Sequence, residues 1–190
     1  MGTRLLKLVS PIPVSINHYL AYRCVIKNGK PMAVSYCTKE AKEYRKMFAQ
    51  YVTEQVQKQG WDNVPNATQH YYMDALFFFP RTDMDCQNYF KILTDSITDT
   101  QLIWLDDNVV CERVQGICYD AQNPRIELCI HPVDYIGIFA NQCELDGFEA
   151  RCETCSRYAR NCSLLQKAKG GKIQDEISDG ICTKYNKKGD

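Results

Sequence analysis

The 190-residue chain lacks any apolar run approaching the roughly 20 residues that a membrane-crossing helix needs. Its first residues, Met1-Gly-Thr-Arg-Leu-Leu-Lys7, lack the apolar stretch of a secretion signal. The expectation is a cytoplasmic protein with no membrane partner. No glycine-rich phosphate loop or dinucleotide fingerprint occurs, which excludes nucleotide-handling folds built on those loops. Histidine is scarce: His18, His70 and His131 are scattered and give no metal-ligand spacing. Net charge is missing too, with 23 Lys and Arg against 23 Asp and Glu. Any polyanionic partner must therefore be gripped by a local basic patch, not by the chain as a whole.

Cysteine, by contrast, is abundant. Eleven cysteines would suggest a disulfide framework in a short secreted protein, but the count is odd and no export signal precedes them. Reduced thiols, some of them holding metal, fit better. The length suits one well-packed domain with an appendage.

Periodicity predicts the elements. Leu5 to Val9 reads as a strand, and the segment through Gly29 as irregular or a short hairpin. Thr38 to Gln59 reads as a helix, with Ala41, Tyr44, Phe48, Tyr51, Val52 and Val56 at three- and four-residue steps and Gly60 at its end. The sequon Asn66-Ala-Thr68 reads as part of a polar loop. Gln69 to Phe79 is an aromatic strand stopped by Pro80, with most of its rings expected in the core. Asp85 is placed to cap a second helix reaching about Thr100. Val109 to Tyr119 and Arg125 to Ile130 complete the strands. The expected fold class is α/β, a small mixed sheet flanked by two helices, over residues 1–132. Residues 133–190 form a Cys-rich module, with Tyr135 to Phe139 as a connector packing on the main domain and Ser163 to Ser178 partly helical.

Charge is segregated. Residues 11–50 hold seven Lys and Arg against Glu40 and Glu43, while residues 83–112 hold one lysine, Lys91, against six Asp and Glu112. In the acidic stretch, Asp83-Met-Asp-Cys-Gln-Asn-Tyr-Phe-Lys91 and Leu105-Asp-Asp107 set four carboxylates on either side of one helix. Clustered carboxylates repel one another unless a cation sits among them. A divalent ion is the natural occupant and phosphodiester hydrolysis its natural chemistry. Both carboxylate pairs are expected on the same edge of the sheet, with Lys91 projecting toward them. The bland alternative, solvated acidic loops, stays open on these residues alone.

Asp85-Cys-Gln-Asn-Tyr-Phe-Lys91, Asp95 and Trp104-Leu-Asp-Asp-Asn-Val-Val110 together resemble the RusA family of Holliday-junction resolvases, whose pattern runs D-x-D-N-x-x-K, a further Asp, then W-x-D-D-x-x-V. Pro13-Val-Ser-Ile-Asn-His-Tyr19, the pair Tyr44-Arg45 and the strand Pro124-Arg-Ile-Glu-Leu128 resemble further parts of that family. The resemblance implies a Mg²⁺-dependent (or Mn²⁺-dependent) homodimeric endonuclease acting on branched DNA. It implies Asp85, Asp107 and Asp106 as catalytic metal ligands, Lys91 as the catalytic lysine, and Asn88 as the motif asparagine. The family's second Asp falls at Gln87, a neutral residue. Asp83 is the candidate stand-in. Asn17, Arg23, Lys30, Lys42, Arg45 and Lys46 are candidates for contacting DNA.

Cys152, Cys155, Cys162 and Cys182 form a second constellation, a CxxC pair followed by two single cysteines. Four thiolates suit a structural Zn²⁺. Such tails resemble those of RusA-like proteins from Gram-positive bacteria and their phages. Two functional readings remain: the metal-dependent junction endonuclease, and a non-catalytic junction-binding factor whose zinc-stabilised tail recruits a partner. Gln87 favours the second.

Overall fold

The computed structural model describes residues 4–62, 64–65, 69–133 and 136–188. The chain divides into two compact units, Met1–Val133 and Asp134–Asp190. The expected sequon turn lies outside the described residues.

The first unit is built on a four-stranded sheet in the order β1-β6-β4-β5, from β1 (Leu6–Pro11), β4 (His70–Phe79), β5 (Val110–Tyr119) and β6 (Arg125–Val133). β1 and β4 both pair antiparallel with β6, while β4 and β5 run parallel, so the sheet is mixed as its α/β pattern implied. Strict alternation in β4 sends Tyr71, Met73, Ala75, Phe77 and Phe79 into the core, each fully buried. Helices α2 (Lys39–Lys58) and α3 (Gln87–Thr98) contribute to that same core through Tyr44, Phe48 and Val52 and through Phe90, Leu93 and Ile97. Thr38 caps α2 by accepting a hydrogen bond from the Ala41 amide, and Gly60 takes φ +63° just beyond it, where a Cβ would be strained.

On the other side of the sheet the strands carry paired polar groups. Asp74 accepts two hydrogen bonds from Arg113, at 2.6 and 2.7 Å, and the guanidinium lies 3.7 Å from the Tyr72 ring centre. Arg125 lies over Phe78 in the same way. Of the aromatic strand, then, Tyr71, Phe77 and Phe79 are core, as expected, and Tyr72 and Phe78 serve as platforms for arginines.

Residues 20–37 adopt the second of the two expected arrangements, a hairpin, with eight-residue strands that make it longer than expected. They form a separate two-stranded ribbon of β2 (Leu20–Lys27) and β3 (Lys30–Cys37), preceded by the single-turn helix α1 (Ile16–Tyr19).

In the second unit, α4 (Gln142–Glu153) and α5 (Leu164–Lys169) are followed by the paired two-residue strands β7 (Ile177–Ser178) and β8 (Ile181–Cys182). Its core is small: Phe139, Leu145, Phe148 and Ala168, with Ile136, Ile138, Cys152 and Cys182 packed around them. Ile138 and Phe139, from the segment expected as a connector, pack in the core of this unit. The helix expected across Ser163 to Ser178 ends at Lys169, because Gly170 and Gly171 follow and Gly171 adopts φ +74°.

Candidate active site

The parallel pairing of β4 and β5 corrects one expectation. Asp83 and Asp85 follow the C-terminal end of β4, whereas Asp106 and Asp107 precede the N-terminal end of β5. In a parallel pair these are opposite edges of the sheet. The polar groups are gathered instead by α3, the crossover between the two strands.

At the start of α3, the Asp85 carboxylate accepts a hydrogen bond from the Gln87 amide at 2.9 Å, so it does help cap the helix. Asp83 is paired with Arg81 at 2.9 Å, with both side chains well exposed. Tyr89 lies close by. Burial raises its pKa first, and the negative charges of Asp85 and Asp83 add to that against the lowering pull of Arg81. Gln87 is exposed and starts the helical face that continues through Lys91 and Asp95 at four-residue steps.

Further along that face, Lys91 donates to Asp95 at 2.6 Å and to Asp107 at 3.0 Å. Tyr19 donates to the other Asp95 oxygen, and Arg45 donates to the Tyr19 hydroxyl at 2.9 Å. Arg45 also grips Asp99 with a two-pronged contact, at 2.9 and 2.6 Å. The result is one continuous polar chain from Asp99 through Arg45, Tyr19, Asp95 and Lys91 to Asp107. Its charges tune one another. Hydrogen bonding to Asp95 holds the Lys91 ammonium well above the ordinary lysine range, aided by Asp107 and opposed by burial. Burial, then the Asp95 bond, pushes the Tyr19 phenol up to about 12.

Glu112 enters from β5, opposite Met73 and on the helix-bearing side of the sheet. Its carboxyl is held above the usual range, by surrounding protein first and by the negative charge of Asp107 second. Asp106 turns its side chain to the Asn108 amide at 3.0 Å, capping the short turn of 3-10 helix at Asp107–Val109. Trp104 anchors this loop. It is fully buried against Tyr71, and its indole N–H donates to Thr98 at 2.7 Å.

The sequence reading thus located Lys91 and Asp107, which meet, and Asp106, which lies beside them in a capping role. Among the described residues, no three His, Cys, Asp or Glu side chains converge as they do around a bound ion. Asp83 is held by Arg81, not by the other carboxylates. Tyr19 and Glu112 were missed as site residues. Tyr19 closes the N-terminal motif already matched to the family, so a signal for it existed. Glu112 becomes visible only once the register of β5 is known. Of the candidates for DNA contact, Asn17, Arg23, Lys30, Lys42 and Lys46 are exposed, while Arg45 is committed to Asp99 and Tyr19.

In the second unit, Cys152, Cys155, Cys162 and Cys182 all line one cavity, bordered by Phe148, Leu164 and Tyr185. Backbone amides of Asn186 and Arg157 lower the Cys155 thiol pKa. Burial, and then the neighbouring Cys182, Cys162 and Cys155, push Cys152 up to about 11.

No helix among the described residues is long and apolar enough to cross a membrane. A comparison with curated proteins finds no match. The model of the family described as endodeoxyribonuclease RusA matches residues 21–131, a span that takes in nearly all of the ribbon, α2, α3, β4, β5 and every member of the Lys91 chain but Tyr19. That family implies a junction-resolving endonuclease with branched DNA as its substrate. With more than half its length matched and the motif lysine joined to the motif carboxylate, the chain belongs to the RusA endodeoxyribonuclease family.

Proposed function

We propose that the first unit is a divalent-metal-dependent endonuclease that hydrolyses phosphodiesters at DNA junctions, and that the second is an accessory module. The observation that carries the catalytic reading is the Lys91–Asp107 contact, with Asp95 behind it and Glu112 beside it. Carboxylate oxygens are hard donors and suit Mg²⁺ or Mn²⁺. The like-charge strain between Asp107 and Glu112 is the kind that a dication relieves.

Asp107 would hold the ion, with the adjacent Asp106 and Glu112 adding negative charge; Asp85, which follows β4 at the opposite edge of the sheet, would stand apart from that group. When bound, such an ion supplies an activated water and neutralises charge on the phosphate. Lys91 contributes a fixed ammonium for a non-bridging phosphate oxygen. Asp95 aims that ammonium, and Tyr19 with Arg45 holds Asp95. Exposed Lys42 and Lys46 hold flanking phosphates. Two copies acting as a homodimer would bring two such sites to one junction, so that cuts fall in pairs.

Cleavage of a synthetic four-way junction in Mg²⁺ or Mn²⁺ tests this. Wild-type protein is expected to nick symmetrically, and Asp107→Asn to bind without cutting. Junction binding without any nicking by wild type would overturn it in favour of the binding factor.

A structural zinc in the second unit is a separate proposal. The reasons for it are the number of cysteines that line one cavity, which among the described residues do not converge into a ligand cluster, and the small apolar core there, since small cores commonly depend on a metal. Soft thiolates suit Zn²⁺. Protein purified under reducing conditions without chelator is expected to carry equimolar zinc, and Cys155→Ser to lose it. Metal-free wild type with an unchanged fold would sink the idea.

A further inference from the structure

The ribbon of β2 and β3 has its own logic. Its pairing is unbroken from Leu20↔Cys37 to Lys27↔Lys30. The two residues between, Asn28 and Gly29, have φ of 54° and 75°, the turn that suits the natural twist of a two-stranded ribbon. Among the described residues it joins no other sheet, and most of its side chains are exposed.

Successive side chains on a strand point to opposite sides. By the observed register, Arg23, Lys27 and Lys30 all fall on one side, together with Met32 and Tyr36. The other side, which bears Tyr22 and Ile26, carries no Lys, Arg, Asp or Glu, and residues 20–37 contain no acidic residue at all. Among the described residues these three cations make no ion pair, whereas Arg45, Lys91, Arg113 and Arg125 are all paired with carboxylates. Arg23 instead lies over the Tyr36 ring, 5.7 Å from its centre. One-sided, unpaired positive charge is the complement of a polyanion.

The root of the ribbon is fixed to the catalytic chain. Tyr19, which bonds Asp95, is followed directly by β2, and its carbonyl accepts a hydrogen bond from the Thr38 amide at 3.0 Å, closing the base. Eight extended residues reach about 26 Å at roughly 3.3 Å each. That matches about eight base pairs at 3.4 Å per step.

We propose that the cationic side of this ribbon lies along the phosphate backbone of a duplex arm of the branched substrate, with Arg23, Lys27 and Lys30 each contacting phosphate and Tyr36 and Met32 packed between. This rests on the junction-endonuclease reading and names the element that grips an arm away from the cut. The contacts are to backbone, so they carry affinity without sequence preference.

The test is binding of a synthetic four-way junction across a salt series, in Ca²⁺ so that no cutting intervenes. The triple variant Arg23→Gln, Lys27→Gln, Lys30→Gln is expected to flatten the slope of log K against log salt by about 2.7, since each phosphate contributes roughly 0.9. Affinity near 0.1 M salt then falls on the order of a hundred-fold. The charge-keeping set Arg23→Lys, Lys27→Arg, Lys30→Arg keeps the wild-type slope, which separates loss of charge from a damaged ribbon. Shortening the junction arms to four base pairs flattens the wild-type slope and leaves the glutamine variant unaffected. Wild-type binding with an unchanged slope in the glutamine variant overturns the ribbon alone. So does a variant that keeps the slope but changes oligomeric state by sedimentation, which would assign this side to protein contact. Wild-type protein indifferent to branched DNA overturns the endonuclease reading and the ribbon with it.

Discussion

Lys91 and Asp95 stand one turn apart on α3 and meet at 2.6 Å, and Asp95 uses its remaining oxygen for the Tyr19 hydroxyl. The ammonium is thereby held on two sides, by its own helix and by Asp107 from the loop before β5. A lysine so restrained loses less freedom on meeting a phosphate than one free in solvent.

Replacing Lys91 with Gln removes the charge with modest change in volume. Single-turnover cleavage is expected to fall by roughly 10²–10³, the cost of losing one preorganised electrostatic group. Asp95→Asn leaves the ammonium in place but loosens its aim. A smaller loss, on the order of ten-fold, is expected in rate with junction affinity unchanged, a split that separate rate and binding measurements resolve.

Gln87 lies four residues before Lys91 on the same exposed face of α3. Gln87→Asp puts a carboxylate there. The Mn²⁺ concentration for half-maximal cleavage is expected to drop several-fold. An unchanged or higher midpoint would show that this position lies outside the metal's reach.

Alkali offers a test of Tyr19. Its pKa rises from 10.0 to about 12 on folding, through burial and then the bond to Asp95. A raised pKa means that the folded state holds its proton more tightly. The associated stability is whole below pH 10 and drains away between about pH 10 and 12. The span corresponds to about 2–3 kcal/mol. Urea unfolding of wild type across that range is expected to show the decline, and Tyr19→Phe to show a flatter one.

Trp104 sets the position of the loop bearing Asp106 and Asp107. It is fully buried and bonded to Thr98. Trp104→Ala is expected to cost about 3–5 kcal/mol by chemical denaturation and to abolish cleavage under conditions where the variant remains folded.

Much of this was legible in the chain. α2 lies within a residue of its sequence bounds because a capping threonine and a terminal glycine mark its ends. Phe79 ends β4 as Pro80 dictates. The ribbon was under-read because alternation fades when both sides of a strand meet water. α4 passed unnoticed because only Leu145 and Phe148 of its residues are buried, too few to make a stripe. The same-edge arrangement of the carboxylates was the larger misreading. The stretch between Phe79 and Val110 contains a helix, and a crossover of that length signals parallel strands. The motif named Lys91 and Asp107, but Glu112 depends on a partner in another strand, which local spacing does not encode.

The pairing of Leu6 with Ile130 has a consequence for how the molecule is made. The first strand cannot find its neighbour until the sixth has left the ribosome, so a growing chain carries Leu6 and Leu8 uncovered until then. Contacts this remote in sequence also slow the closing of the sheet. A nascent chain stalled before β6 is therefore a natural client for a chaperone.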